Sequence, residues 1–327
     1  MAFANSDAPI RTPCLHGTFV QIDGDMVGWN RARWQSLFDS LHALQIELLI
    51  VQWSVHADTA LYPSSRFSAV QTVPLTVILA LADRAGMRVM VGLSHDPRYW
   101  DAVEGPGKRS YLANRLKKNR MVATELVLLV AQHPSFAGWY ISEEIDDENW
   151  HGRGDQQALF TYVQQLSAFL HDLSPHAEVG ISGFASGHTS PAAVGTFWRE
   201  LLNRADAVRT VYFQDGIGVA NLNFGNIDAY FQAIKSAVDA NHREFVPVVE
   251  LFRQTAGEPI SEAEFAAVPT DISRLLRQIG IAERYAGGYV MFAVPDYMTP
   301  TGDANATLLY NDYINNRRVK NTTCRRQ

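Results

Sequence analysis

Eight short, apolar, β-branched runs recur along this 327-residue chain, each ending in polar or aromatic residues and followed by an amphipathic helical stretch. The runs are Gly17 to Ile22, Ile46 to Trp53, Arg88 to Leu93, Ala137 to Ile141, Glu178 to Gly183, Ala207 to Phe213, Phe245 to Val249 and Gly288 to Ala293. Helical patterns lie between them over Arg31 to Leu44, Leu75 to Ala85, Tyr111 to Gln132, Gln157 to Leu173, Val194 to Ala205, Ile227 to Asn241, Thr270 to Tyr285 and Ala304 to Asn316. Near-continuous apolar strands are expected where helices cover both faces of a parallel sheet. Eight such units predict an α/β fold of one domain, a (β/α)8 TIM barrel, with residues 1–14 as an N-terminal extension and 317–327 as a basic C-terminal tail.

An open doubly wound sheet is the competing architecture. A dinucleotide-binding sheet needs a glycine-rich turn directly after its first strand, and the loop here, Asp23-Gly24-Asp25-Met26-Val27-Gly28, does not lead into that fingerprint. No phosphate-cradling P-loop, no linker and no low-complexity segment interrupts the pattern.

Charge narrows the partners. A net charge of -6 and a pI near 5.9 argue against a surface built for nucleic acid or anionic lipid. The basic residues Arg317, Arg318, Lys320, Arg325 and Arg326 read as a solvated tail. No apolar stretch reaches the roughly eighteen residues that span a bilayer. Ala2-Phe3-Ala4 has the small-x-small form that precedes a signal-peptidase cut, although the basic and apolar regions expected before it are missing. The expectation drawn from it is a periplasmic or secreted protein. Only two cysteines occur. Cys14 precedes the first strand and Cys324 follows the last helix, so a closed barrel could bring them together as a disulfide, with two unrelated thiols as the alternative.

In a parallel barrel the catalytic groups gather at the C-terminal ends of the strands. Those ends carry Gln21 and Asp23; Gln52, Trp53 and His56; Ser94, His95, Asp96, Tyr99 and Trp100; Glu143, Glu144, Asp146, Asp147 and Trp150; Ser182, Phe184 and His188; Tyr212, Gln214 and Asp215; Glu250 and Arg253; Phe292, Asp296 and Tyr297. The face is polar, acidic and aromatic at once. Sugars present hydroxyls that need hydrogen-bond partners and flat C–H faces that stack on rings, so this mixture suits a carbohydrate cleft. Two acids end apolar runs about a hundred residues apart, in GWYISEEIDD and in FVPVVELFRQ. Cleaving a glycosidic bond needs a facing pair of this kind, one carboxyl to donate a proton and one to attack or hold a water.

With GTFVQI near the start, GWYISEEIDDENW in the middle and YFQDGIG after the sixth strand, the chain resembles the superfamily of retaining glycosidases built on (β/α)8 barrels. Within it, the chain looks most like a poorly characterised bacterial branch of glycosidase-like barrels. The resemblance covers nearly the whole barrel and rests on short motifs. It implies an acid/base glutamate ending strand four, Glu144 or Glu143, and a nucleophile ending strand seven, Glu250. One departure stands out. The superfamily usually places asparagine before the acid/base, where it bonds the sugar 2-hydroxyl, and here that neighbour is Ser142 or Glu143.

Glu143 and Glu144 point to opposite faces of a strand, so parity decides between them, and the sequence leaves both open. The resemblance favours Glu144, because in the resembling motif the acid follows one polar residue and Glu143 then fills that place. Two adjacent carboxylates would also raise each other's proton affinity. The competing readings are a solvated acidic turn through Asp146, Asp147 and Glu148, and for Glu250 an ion pair with Arg253. Candidate substrate contacts are Gln21, Trp53, His95, Asp96, Trp100, Trp150, Tyr212, Gln214, Asp215, Asp296 and Tyr297, with Gln214 and Asp215 placed to orient the nucleophile and Trp139 read as core. The histidines His56, His95 and His188 are scattered singly, no His-x-His follows strand one, and neither HExxH nor GxSxG occurs. No metal or cofactor is therefore expected.

The leading reading is a retaining glycosidase acting on a polysaccharide, such as a bacterial exopolysaccharide. The second is a carbohydrate-binding barrel that has the cleft without turnover.

Overall fold

The computed structural model describes residues 14–257 and 261–320, with side chains through Arg317. Ala2-Phe3-Ala4, Cys324 and the end of the basic tail lie outside the described residues, and the pairing of Cys14 with Cys324 therefore does too.

Eight parallel strands close into a barrel in chain order: β1 (Cys14–Val20), β2 (Leu48–Val51), β3 (Arg88–Gly92), β4 (Phe136–Ile145), β5 (Glu178–Gly183), β6 (Thr210–Gln214), β7 (Glu244–Glu250) and β8 (Gly288–Phe292). β8 pairs with β1 to complete the ring. The helices are α1 (Arg31–Ala43), α2 (Pro74–Ala85), α3 (Lys108–Val130), α4 (Arg153–Leu173), α5 (Pro191–Leu202), α6 (Ile227–Ala240), α7 (Ile272–Ala282) and α8 (Ala304–Lys320). The chain is an α/β TIM barrel, as the eight alternating runs require.

Strand alternation builds two cores. Phe19, Leu48, Ile50, Met90, Tyr140, Tyr212, Val246, Val248 and Val290 point inward and fill the barrel. Their neighbours, such as Val20, Leu49, Val91, Trp139, Ile141, Phe213 and Val249, point outward and pack under the helices. Inside, Phe19 meets Tyr140 and Tyr212 edge-on, with ring centroids 5.5 and 5.9 Å apart, the geometry that the aromatic quadrupole favours. Local chemistry sets the helix starts. The Asn30, Ser190 and Asp271 side chains accept from Arg33 N, Ala193 N and Arg274 N, satisfying donors that the first turns of α1, α5 and α7 leave open.

Three differences from the sequence expectation matter for the site. β4 runs to Ile145, four residues beyond the apolar run, because Ser142, Glu143 and Glu144 find polar partners and need not be apolar to stay in the sheet. Several loops carry structure of their own: a hairpin of Phe252–Ala256 with Ala266–Pro269 after β7, a small sheet joining Val55–His56 to Ser94–His95, and short helices Tyr99–Glu104 and Val294–Tyr297. Last, α8 continues to Lys320, so residues 317–320, expected in the tail, are helical. Arg317 donates to the Leu44 carbonyl at 2.6 Å and to the Gln45 side chain, tying α8 to the loop after α1.

Candidate active site

The strand ends open onto a cleft of about 890 Å³. The inward positions of the even-numbered strands contribute Gln52 just past β2, Glu144 on β4, Gln214 on β6 and Phe292 on β8 to its lining. Glu144 is half-buried there, and its Oε1 accepts from Gln52 Nε2 at 3.1 Å and from Gln214 Nε2 at 3.0 Å. β2 and β6 are opposite strands of the ring, so one carboxylate oxygen bridges the mouth. Burial raises the Glu144 pKa to about 7, against the two amides, and the nearby Asp146 carboxylate adds to the rise.

Glu143 has the opposite environment. It points outward into the helix layer, where Oε1 pairs with Arg115 at 2.7 Å and Oε2 accepts from Tyr162 at 2.5 Å, while Asn119 donates to both oxygens. Arg115 also reaches Ser94 Oγ at 2.9 Å, fixing the end of β3. Glu143 and Arg115 border the cleft wall, but Glu143 is 4% exposed with its acceptors occupied. The expectation that Glu143 raises the proton affinity of Glu144 does not hold. The positive Arg115 neutralises Glu143, and burial is the main cause of the Glu144 rise.

Glu250 ends β7 on the inward parity of Val246 and Val248, yet it is 1% exposed and does not line the cleft. Its Oε2 accepts from Gly218 N at 2.5 Å and Val219 N at 3.2 Å; its Oε1 is buried without a partner among the described residues. This lid needs glycine, because a Cβ at Gly218 would come within 2.7 Å of Glu250 Oε2. Burial, with the Asp215 carboxyl adding, pushes the Glu250 pKa up. The ion pair with Arg253 does not form: Arg253 is exposed on the hairpin, and it is Arg274 that donates to the backbone carbonyls of Glu250 and Phe252.

Of the other expected contacts, Gln21, Trp53, His95, Asp96, Trp100 and Gln214 line the cleft. Trp53 stacks on His95 at 4.6 Å and donates its Nε1 to the Ile22 carbonyl. Burial is the main cause that lowers the His95 pKa to about 4, which keeps the ring neutral. Trp100 is 38% exposed, edge-on to Phe184, and offers a ring to solvent. The remainder lie elsewhere. Tyr212 is inside the barrel core, and Trp150 is buried under Lys108. Asp215 points outward and accepts from Gln278 on α7 at 2.6 Å, while Asp296 is exposed on its short helix and Tyr297 packs on Phe252. The Asp146 and Asp147 carboxylates cap turns, Asp146 at Glu148 and Asn149, Asp147 at Ser186 and Thr189.

Sequence reasoning singled out neither Arg115, Asn119 nor Tyr162. The available signal was a charged residue and an amide four apart on α3, both at positions that turn out buried. A separate cavity of about 560 Å³ lies among Arg204, Arg209 and Arg243 beneath the start of β5, and it gathers none of the expected site residues.

Residues 15–304 match the family described as Domain of unknown function (DUF4434). The chain belongs to that family. Among curated relatives, this DUF4434 chain is 32% identical over 206 residues to "Uncharacterized protein YbcH" of Escherichia coli (strain K12), a match covering 62% of this chain and 64% of YbcH. Among solved structures it superposes with a TM-score of 0.78 and 22% identity on a candidate alpha-L-fucosidase from Bacteroides thetaiotaomicron, covering 96% of this chain and 95% of that one. A xylanase A variant from P fluorescens subsp. cellulosa, in complex with xylopentaose, superposes at 0.54 with 14% identity, covering 89% and 90%. The structural neighbours of this DUF4434 barrel are thus glycoside hydrolases, and at these identities they share its fold.

Proposed function

We propose that this DUF4434 protein is a retaining glycoside hydrolase acting on a polysaccharide, with Glu144 as the acid/base and Glu250 as the nucleophile. The observation that carries the reading is the environment of Glu144. It is an inward carboxyl at the end of β4, positioned by two opposed amides and raised to about 7, so near neutral pH a large share is protonated and able to donate to a leaving oxygen. An aromatic and acidic wall around it suits sugar rings. Attack by Glu250 requires its anion, which the Gly218 and Val219 amides favour and burial opposes. Burial sets Glu144 at about 7 and Glu250 at about 8, so the required form, Glu144 protonated with Glu250 ionised, is a minor one that peaks between those two values, giving a narrow bell-shaped profile. Export of the protein, and an exopolysaccharide as its substrate, belong to the same proposal.

A specific observation favours the second reading, a binding barrel without turnover: Glu250 is sealed under Gly218 and Val219. One experiment separates the two. Purified protein is incubated with a panel of polysaccharides beside Glu144→Gln and Glu250→Gln, and released sugars are followed by NMR of the anomeric proton. The expected result is hydrolysis with retention, reduced by at least about 100-fold in each variant. Binding without release of sugar by the parent protein supports the non-catalytic barrel, and hydrolysis that survives both substitutions overturns the assigned roles.

A further inference from the structure

The ionised groups of the cleft are almost all of one sign. Its lining holds seven acidic residues and one permanently charged base, Arg115, which is already committed to Glu143. Four side-chain donors of the lining are committed within the protein. Gln52 Nε2 and Gln214 Nε2 both go to Glu144, Tyr99 Oη goes to the Glu144 carbonyl at 2.5 Å, and Trp53 Nε1 goes to Ile22.

One buried acceptor of the lining is unmet. Gln52 is 4% exposed and lines the cleft beside Glu144, yet its Oε1 is buried with no donor among the described residues. A buried acceptor without a partner costs about 1–3 kcal/mol, so a donor arriving there is favoured. Around it, Glu143, Asp146 and Asp96 are satisfied by Arg115, by the turn at Glu148 and Asn149, and by Arg98 with Tyr111. Asp23, Glu104, Glu144 and Glu148 have no ion-pair partner among the described residues. Asp23, Glu104 and Glu148 are exposed at the rim, on the loops after β1, β3 and β4.

A neutral sugar could donate a hydroxyl to Gln52 Oε1, but it would gain nothing from the charge of the rim carboxylates. A uronic acid chain would add charge of the same sign. A saccharide with free amino groups supplies donors and positive charge together. We propose that the cleft recognises an amino-sugar oligomer or polymer bearing unsubstituted amines, read by the Gln52 acceptor and by the Asp23, Glu104 and Glu148 carboxylates. This inference rests on the glycosidase reading for the use of the site, but it concerns recognition and is tested by binding alone.

The test is an equilibrium tryptophan-fluorescence titration of the full chain with three hexasaccharides: β-linked glucosamine, its fully N-acetylated form, and galacturonate. The glucosamine hexamer is expected to bind about tenfold more tightly than the acetylated one, and the galacturonate hexamer most weakly. The preference should shrink between about 0.05 M and about 0.5 M salt, because exposed charges are screened over that range. The triple variant Asp23→Asn, Glu104→Gln, Glu148→Gln alters only exposed side chains. It should lose the preference while keeping the thermal midpoint of the parent.

Equal or weaker binding of the glucosamine hexamer, or a preference that neither salt nor the triple variant reduces, overturns the inference. Neutral-glycan hydrolysis with no amine preference leaves the glycosidase reading standing and sinks this one. A salt-sensitive amine preference in a protein that cleaves nothing does the reverse.

Discussion

Glu143 and Glu144 are adjacent in sequence and differ in every physical respect. Glu143 is a buried anion whose charge Arg115 balances and whose lone pairs Asn119 and Tyr162 occupy. Removing one member of such a pair strands the other. Arg115→Met is therefore expected to cost about 3–5 kcal/mol, read from denaturant unfolding, and the double change Arg115→Met with Glu143→Leu should recover most of that loss. Glu144 gives a pH-dependent signature instead. Its ordinary pKa of 4.5 rises to about 7 in the fold, so between those values the folded chain holds a proton that the unfolded chain has released. Stability thus has its full value below about pH 4.5, falls as pH climbs through about 7, and levels off above. Glu144→Gln removes that contribution, so the difference in unfolding midpoint between parent and variant should grow in the variant's favour from about pH 5 to about pH 8. A flat difference would show that Glu144 titrates normally.

At the scale of elements, the site depends on how closely β2, β3 and β4 approach at their carboxyl ends. Ser142 Oγ donates to the Gln52 carbonyl at 2.7 Å and accepts from Leu93 N at 3.0 Å, stitching three strands together beside the cleft. Gly92 makes this possible, because a Cβ there would lie 2.1 Å from the Gln52 carbonyl oxygen. Gly92→Ala is expected to destabilise the fold by about 1–3 kcal/mol and, by displacing Gln52, to lower activity or ligand affinity as well. Gly154→Ala, in the first turn of α4 with nothing within 4 Å, is the matched control and should be neutral or slightly stabilising. This level was only partly legible in the sequence. The apolar runs located all eight strands, since burial on both faces demands them. They missed the end of β4, the hairpin after β7 and the loop over Glu250, because those segments are held by hydrogen bonds to distant residues.

For the molecule as a whole, closure of the ring makes the last elements as necessary as the first. α8 buries Ala306, Leu309 and Tyr313, its Tyr313 hydroxyl lies 3.2 Å from that of Tyr289 on β8, and its Arg317 holds the loop after α1. A chain cut before Ala304 uncovers the outer side of β8, and loss of Leu309 alone is worth about 2–5 kcal/mol. Such a truncation should unfold at a markedly lower temperature by circular dichroism or fail to accumulate in soluble form. By itself the sequence determined the alternation of strands and helices, the closed parallel barrel, and the set of strand-end residues from which any site had to be drawn, because burial periodicity is a local property. Only the tertiary structure decided that Glu144 faces the cleft and Glu143 the helix layer, that Glu250 is sealed by Gly218, and that Asp215, Tyr212 and Trp150 serve the interior. Those outcomes turn on strand parity and on partners tens of residues away, and no window of the chain contains them.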